Sequence, residues 1–284
     1  MPLFYQNFNG ERIRFDADGN YRLLNVEGLG GLEWESRTAR SPFQDGRTFI
    51  ETVAKPREIE LTFGIFGDTN EEVSGYFSDI SRIMSPKLGE GLLEFDFGGK
   101  VRGINVIVEQ SPVYLTGDDN RTKGYIRSTV TMVANNPFWL DQSITTEELQ
   151  TWVDTYELPL EMPYEIGVRG DSGTITNGGD VDTPLRIEVT GGFAPPLTIS
   201  NLTTGEDIII TKVLAPTDRL FIDTMPSAQR VTFIDDENNM SNGFHFLDPA
   251  SRLFQLVTGA NEIKVNAQDS TTVYINYKRQ YISF

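Results

Sequence analysis

The chain has 284 residues, 38% of them hydrophobic, which is long for one sandwich and sufficient for two cores. Its net charge of −17 speaks against a grip on nucleic acid, which needs Lys and Arg to neutralise phosphates. It has no cysteine, and that excludes a disulfide framework, a thiolate metal site and a cysteine nucleophile.

The N-terminal MPLFYQNFNGERIRF has no basic region leading into an apolar run, so no secretory signal is expected. Apolar runs are short, DIIITKVL being typical, and predict no membrane-spanning helix and no membrane insertion. DADGN at Asp16–Asn20 has a faint likeness to a calcium loop but lacks the full acidic spacing and the closing Glu, so a hairpin turn is the better reading. LLNVEGLGGLEWES, TFIETVA and REIELTFGIFG have strand character. In Arg57–Phe66, Ile59, Leu61, Phe63 and Ile65 share one face, the period of a half-buried strand. GLGG at Gly28–Gly31 opens no helix and reads as a bulge or turn rather than a dinucleotide loop.

One helix stands out. Asp68 or Thr69 can cap it, with Glu71 or Glu72 three residues on. Val73, Phe77, Ile80 and Met84 recur at helical spacing, flanked by Tyr76 and Ile83. Pro86 bars further winding, and Gly89 and Gly91 are expected to allow the reversal into a strand at Leu92–Phe97. An amphipathic helix between two strands must cover the face or edge of a sheet.

VRGINVIVEQ and YIRSTVTMVA continue the strands, and NNPFW closes a first unit over 1–140. Residues 141–165 hold seven acidic side chains and no basic one, and read as a connector with a possible short helix near Thr145–Val153. From Ile166 to the end, strands and turn signals alternate about every ten residues, the pattern of a β-sandwich over 166–284. Residues 1–140 carry 20 acidic and 15 basic side chains, and 141–284 carry 21 and 9.

Candidates for chemistry are few. His245 is the single histidine, so a Ser-His-Asp triad would have to use it. In NGFHFLDP it is expected on a strand, pointing away from Phe244 and Phe246. The acidic chain offers many carboxylates but no pair that the sequence singles out for glycoside hydrolysis. Trp34, Trp139 and Trp152 are expected to pack in a core or an interface. No catalytic residue, metal ligand or cofactor is assigned. A carbohydrate-binding module and an acidic β-rich hydrolase stay open as alternatives.

Taken in order, AKPREIELTFGIFGDTNEE, the helix and MSPKLGEGLLEFDFGGKVRGINVIVEQSPVY resemble the N-terminal region of the siphophage distal tail proteins. The resemblance rests on a Pro-Arg-Glu strand and on a step made here by Pro86, Lys87, Gly89, Gly91 and Leu92. NNPFW, TNGGDVDTPLRIEVTG, ISNLTTGEDIII, FIDT and LFQLVTGANEIKV follow in family order. The resemblance implies a tail-tube-like β-barrel or split barrel with one flanking helix, then a galectin-like β-sandwich. It implies a homo-hexameric ring between the tail tube protein and the hub, tail-associated or receptor-binding proteins of a phage tail tip, with DNA passing through unbound. The place would be the virion, after synthesis in the host bacterial cytoplasm. The sugar-binding cluster of galectins is not matched, since no Trp follows Gly170. Loops placed like Ser36–Phe49 in tube-like folds reach toward the neighbouring subunit, so Arg37, Arg40, Arg47 and Phe49 are the candidate subunit interface, with a segment mobile in the free protein or an ordinary hairpin tip as the alternatives.

Overall fold

The computed structural model describes residues 2–115, 117, 120–150, 171–190, 192–267 and 271–284. The chain is mainly β and forms two compact units. The first runs to Gln142 and takes in Tyr281–Phe284; the second is Ser143–Gln280.

The first unit starts with β1 (Leu3–Gln6), β2 (Arg12–Phe15) and β3 (Tyr21–Glu27). A hairpin follows, β4 (Trp34–Ala39) and β5 (Thr48–Ala54), and then β6 (Arg57–Phe66) and the helix α1 (Asn70–Ile83). The unit continues through β7 (Glu90–Phe97), β8 (Lys100–Tyr114), β9 (Arg121–Thr122), β10 (Tyr125–Ala134) and β11 (Trp139–Asp141). Its main sheet has the order β2-β1-β7-β8-β10-β6-β3. The two end strands meet at a bridge between Asp16 and Arg22, so the sheet rolls back on itself there. Asp16 Oδ1 accepts the backbone N–H of Asp18 and Gly19, the self-bonded turn expected of DADGN. Ile59, Leu61, Phe63 and Ile65 are fully buried on the inner face, as their alternation requires.

The helix covers that core. Thr69 is its N-cap, its side chain accepting from the Glu72 backbone N–H. The Glu72 carboxylate bonds back to the Asp68 N–H, one residue before the cap. Val73, Ile80 and Met84 are buried, with Tyr76, Phe77 and Ile83 packed at the margin. At its far end Asn7 Nδ2 donates to Ile83 O, and Arg82 pairs with Glu11. A 3-10 turn at Pro86–Leu88 and Gly89, at φ 77°, make the reversal. Gly91 has a different task from the one expected. It lies inside β7, where a Cβ would stand 2.7 Å from Gln6 O and 2.8 Å from the Tyr5 ring, so it lets β1 and β7 approach.

The second unit contains β12 (Thr145–Gln150), β13 (Asp171–Asn177), β14 (Leu185–Thr190), β15 (Leu197–Asn201) and β16 (Glu206–Ile210). It goes on with β17 (Arg219–Asp223), β18 (Arg230–Ile234), β19 (Met240–Asn242), β20 (Gly259–Asn266) and β21 (Thr272–Tyr277). These make a six-stranded sheet, β12-β21-β14-β17-β18-β19, and a four-stranded sheet, β13-β20-β15-β16. Their inner faces share one core, in which Ile187, Ile222 and Ile275 from the first sheet join Ile199, Ile208 and Ile263 from the second.

Two expectations fail here. The helix near Thr145–Val153 is, as far as Gln150, the strand β12 paired along β21; Val153 and Trp152 lie outside the described residues, as does most of the acidic 141–165 stretch. His245 is not on a strand. It sits exposed in a 3-10 turn at Phe244–Phe246, its ring edge-on to Phe246. The turn forms because Gly243, Phe244 and Phe246 must bring the chain back over β18 with Phe246 buried.

Candidate assembly interface

The first unit is locked by one buried cation. Arg57 opens β6 and is 4% exposed. Its Nε donates to Pro137 O at 2.9 Å, and its Nη1 to Gly28 O and Gly30 O at 2.6 and 2.7 Å. Its Nη2 donates to Ile282 O at 2.6 Å. Four carbonyls from three distant segments thus converge on one guanidinium, whose planar fork suits several acceptors at once. Burial pushes the group down to about 10, still far above neutral pH, so the cation persists. Gly28 sits at φ 85°, and a Cβ there would meet Glu58 O at 2.0 Å. GLGG is therefore a turn folded around Arg57 and Trp139, whose indole Nε1 donates to Leu29 O. Trp139 is fully buried, as core packing requires, and Phe284 stands edge-on to it and to Phe95.

From this fixed base the hairpin β4–β5 projects as an arm. Among the described residues no third strand pairs with it. Every residue of β4 is exposed, as are the first five of β5. Trp34, Ser36 and Thr38 lie opposite Ala54, Thr52 and Phe49, so one face carries no charge. The other face has Glu35 opposite Val53 and Arg37 opposite Glu51. Six residues at strand rise give each edge of the arm a reach of roughly 20 Å. A lone two-stranded ribbon is marginal in water, and this one shows large apolar groups to solvent. Trp34 is 44% exposed and Phe49 62%. Phe43, at the tip with φ 66°, is fully exposed.

All four residues expected at an interface fall on this arm. Arg37 Nη1 pairs with Glu51 Oε1 at 2.8 Å on the charged face, and Arg40 Nε holds Gln44 O at 3.1 Å and so shapes the tip. Arg47 is exposed beside the tip, and Phe49 projects from the uncharged face. Arg37 and Arg40 thus brace the arm itself, whereas Phe49 is free to meet another surface. Trp34, expected in a core or an interface, joins this surface, whereas Phe43 and Ile50 were not singled out for it. The signal was there: uncharged Trp34, Ser36 and Thr38 alternate with Glu35 and Arg37. Ile50 was hidden because it sits at a register shift between the Arg37 and Thr38 pairs.

Among the described residues no group of His, Asp or Glu side chains is arranged to hold a metal ion. Among the described residues no helix is long and apolar enough to cross a membrane.

A comparison with curated proteins found no match. The family described as SPP1_Dit, siphovirus-type tail component, C-terminal domain, matches residues 178–281. Among solved structures the chain is similar to SPP1 Dit (gp 19.1), described as a paradigm of the hub adsorption apparatus in phages infecting Gram-positive hosts. That likeness has a TM-score of 0.67 at 14% identity and covers 98% of each chain. A chain of the phage P2 baseplate in its activated conformation with Ca is similar at TM-score 0.58 and 13% identity, covering 100% of this chain and 99% of that one. The P2 baseplate with Sr gives 0.57 at 13% identity, with the same coverage. The chain therefore has the same fold as SPP1 Dit over 98% of its length, and its residues 178–281 match the siphovirus-type tail component C-terminal domain.

Proposed function

We propose that this chain is a structural tail hub protein of a phage tail tip. It assembles as a homo-hexameric ring that joins the tail tube to the baseplate or host-recognition proteins, and DNA passes through the ring without being bound. The first unit makes the ring. The role is one of scaffolding, not catalysis, and its place is the virion.

The observation that carries this reading is the unpartnered arm on a fold aligned end to end with a hub protein. A ring needs two different patches per copy, one meeting the other on the next copy. The arm supplies the first patch, with Trp34, Phe43 and Phe49 as its apolar contacts and Arg37, Arg40 and Arg47 around them. Burying Trp34 or Phe49 contributes about 1.5–3 kcal/mol each, enough to repay the ordering of the arm. Light scattering and negative-stain imaging of the full chain test the proposal. Six-fold rings, alone or stacked, are expected; a monomer at high concentration would sink it.

A further inference from the structure

The outward face of the six-stranded sheet in the second unit carries an open depression of about 610 Å³. Arg186 of β14, Arg219, Phe221 and Asp223 of β17, and Arg230 and Thr232 of β18 line it. Strand alternation brings them together, because Ile187, Leu220, Ile222 and Val231 between them point into the core. The register sets Arg186, Asp223 and Arg230 in one row across three strands, with Phe221 and Thr232 side by side in the next.

Three of the nine basic residues of a strongly acidic half are thus gathered around one depression. None of the three arginines forms an ion pair among the described residues, although Asp223 is the cross-strand neighbour of two of them. Arg219 Nη2 makes a single bond to Asn238 Oδ1 at 3.3 Å. The guanidinium carbons of Arg186 and Arg219 lie 5.3 and 5.9 Å from the centre of the Phe221 ring, so both heads hang over it. Asp223 spends one oxygen on the Met225 N–H and has the other available.

We infer that this depression binds a saccharide bearing carboxylate or phosphate groups. Guanidinium forks take such anions in pairs of parallel hydrogen bonds. The half-buried Phe221 ring adds an apolar surface beneath those forks. The free Asp223 oxygen, the Thr232 hydroxyl and Glu188, which stands opposite Phe221 on β14, accept hydrogen bonds from hydroxyl groups. This mixture separates the ligand class from an acidic peptide. A peptide would satisfy the arginines but has no row of hydroxyls to donate to Asp223 and Glu188. All these residues belong to one copy, so the site does not depend on ring assembly.

Calorimetric titration of the full chain tests it, with oligogalacturonate as the carboxylated probe and phosphomannan as the phosphorylated one. A neutral galactan and polyglutamate serve as the contrasts. The result expected is binding of at least one charged saccharide, weakened by salt. Affinity should fall about tenfold or more in R219Q and in the R186Q/R230Q pair, the loss that one or two charge-assisted bonds carry. These side chains are exposed, so the variants fold, and an unchanged melting curve verifies it. No binding of either charged saccharide overturns the inference, as does binding that the Arg→Gln changes leave intact. Equal binding of the neutral galactan overturns the charge requirement. Polyglutamate binding as well as the saccharides would make the depression a dock for an acidic protein instead.

Discussion

The side chain of Arg57 meets the carbonyl oxygen of Ile282 at 2.6 Å, across a separation of 225 residues. This bond brings the segment Tyr281–Phe284 back to the first unit after the whole sandwich has been traversed. It does not act alone. Arg102 Nη1 donates to Ser283 O and its head lies over the Tyr281 ring, while the Tyr281 hydroxyl donates to Asp141 Oδ2. The first unit is therefore completed by Tyr281–Phe284.

Removing the guanidinium should unlock the first unit. Arg57→Ala leaves four carbonyls without their donor and a void beside Trp139. Partial rehydration lowers the cost, and we expect a loss of about 3–5 kcal/mol. Arg57→Lys keeps the charge but cannot span the same carbonyls, and should recover less than half of that loss. Urea unfolding followed through tryptophan emission checks both. A loss under about 1 kcal/mol in Arg57→Ala would show that the node is dispensable. Deleting Ile282–Phe284 should lower the same transition and leave the sandwich transition in place.

Much of this architecture was legible in the residues. The alternation of Ile59, Leu61, Phe63 and Ile65 marked β6 because one of its faces is buried. Thr69, Glu72 and the Val73, Ile80, Met84 stripe marked α1 through capping and helical period. Arg57 was legible only as part of a motif, because its partners are backbone carbonyls, which every residue has. TTEELQ, made largely of helix formers, misled, since pairing with Val273 and Ile275 outweighs local preference. TFIETVA marked β5, but the run LLNVEGLGGLEWES did not mark where β4 begins, because β4 has no buried face to impose a hydrophobic period. The depression around Phe221 needed the register of three strands, which sequence spacing alone does not supply.

The arm separates folding from assembly. Trp34→Ser and Phe49→Ser change side chains already exposed in the single copy, so stability should move by less than about 0.5 kcal/mol. If the arm is the ring contact, the double variant should stay monomeric at concentrations where the unaltered chain forms rings. Arg37→Ala should have a smaller effect, since it removes an exposed ion pair within the arm. Mass by light scattering reads the outcome, and rings formed by the double variant would move the interface elsewhere.

Tyr21 offers a test by pH. Burial, helped by the nearby negative charge of Asp79, pushes its phenol up to about 12. Its hydroxyl donates to Tyr76 O at 2.9 Å, a bond that the phenolate cannot make. The folded state thus favours the neutral form. Its stabilising effect is complete below the unfolded pKa of about 10 and is lost as pH climbs from there toward 12. An ultraviolet titration should show a late-ionising phenol that disappears in Tyr21→Phe. That variant should also loosen α1 by about 1 kcal/mol at neutral pH, the worth of one hydrogen bond. A Tyr21 that ionises near 10 would mean that its ring is open to water.

The last prediction concerns the inner wall of the proposed ring. DNA in transit is slowed by any wall of Lys and Arg, because each phosphate contact releases counterions and adds a salt-dependent attraction. The first 140 residues hold 20 acidic and 15 basic side chains, so the arginines must be kept from the wall if it is to repel. The fold buries one of them and pairs others with carboxylates. Arg57 is buried, Arg12 is paired with Glu94 and Arg14 with Asp16, Arg82 with Glu11, and Arg37 with Glu51. Each pair cancels one charge of either sign, so the excess of 20 acidic over 15 basic side chains still sets the sign of the unit. We expect assembled rings to show no affinity for double-stranded DNA at low ionic strength, where weak screening exposes any basic patch. Retention of labelled duplex by the rings at about 10 mM salt, abolished at about 200 mM, would reveal a basic wall and end this account of how DNA passes.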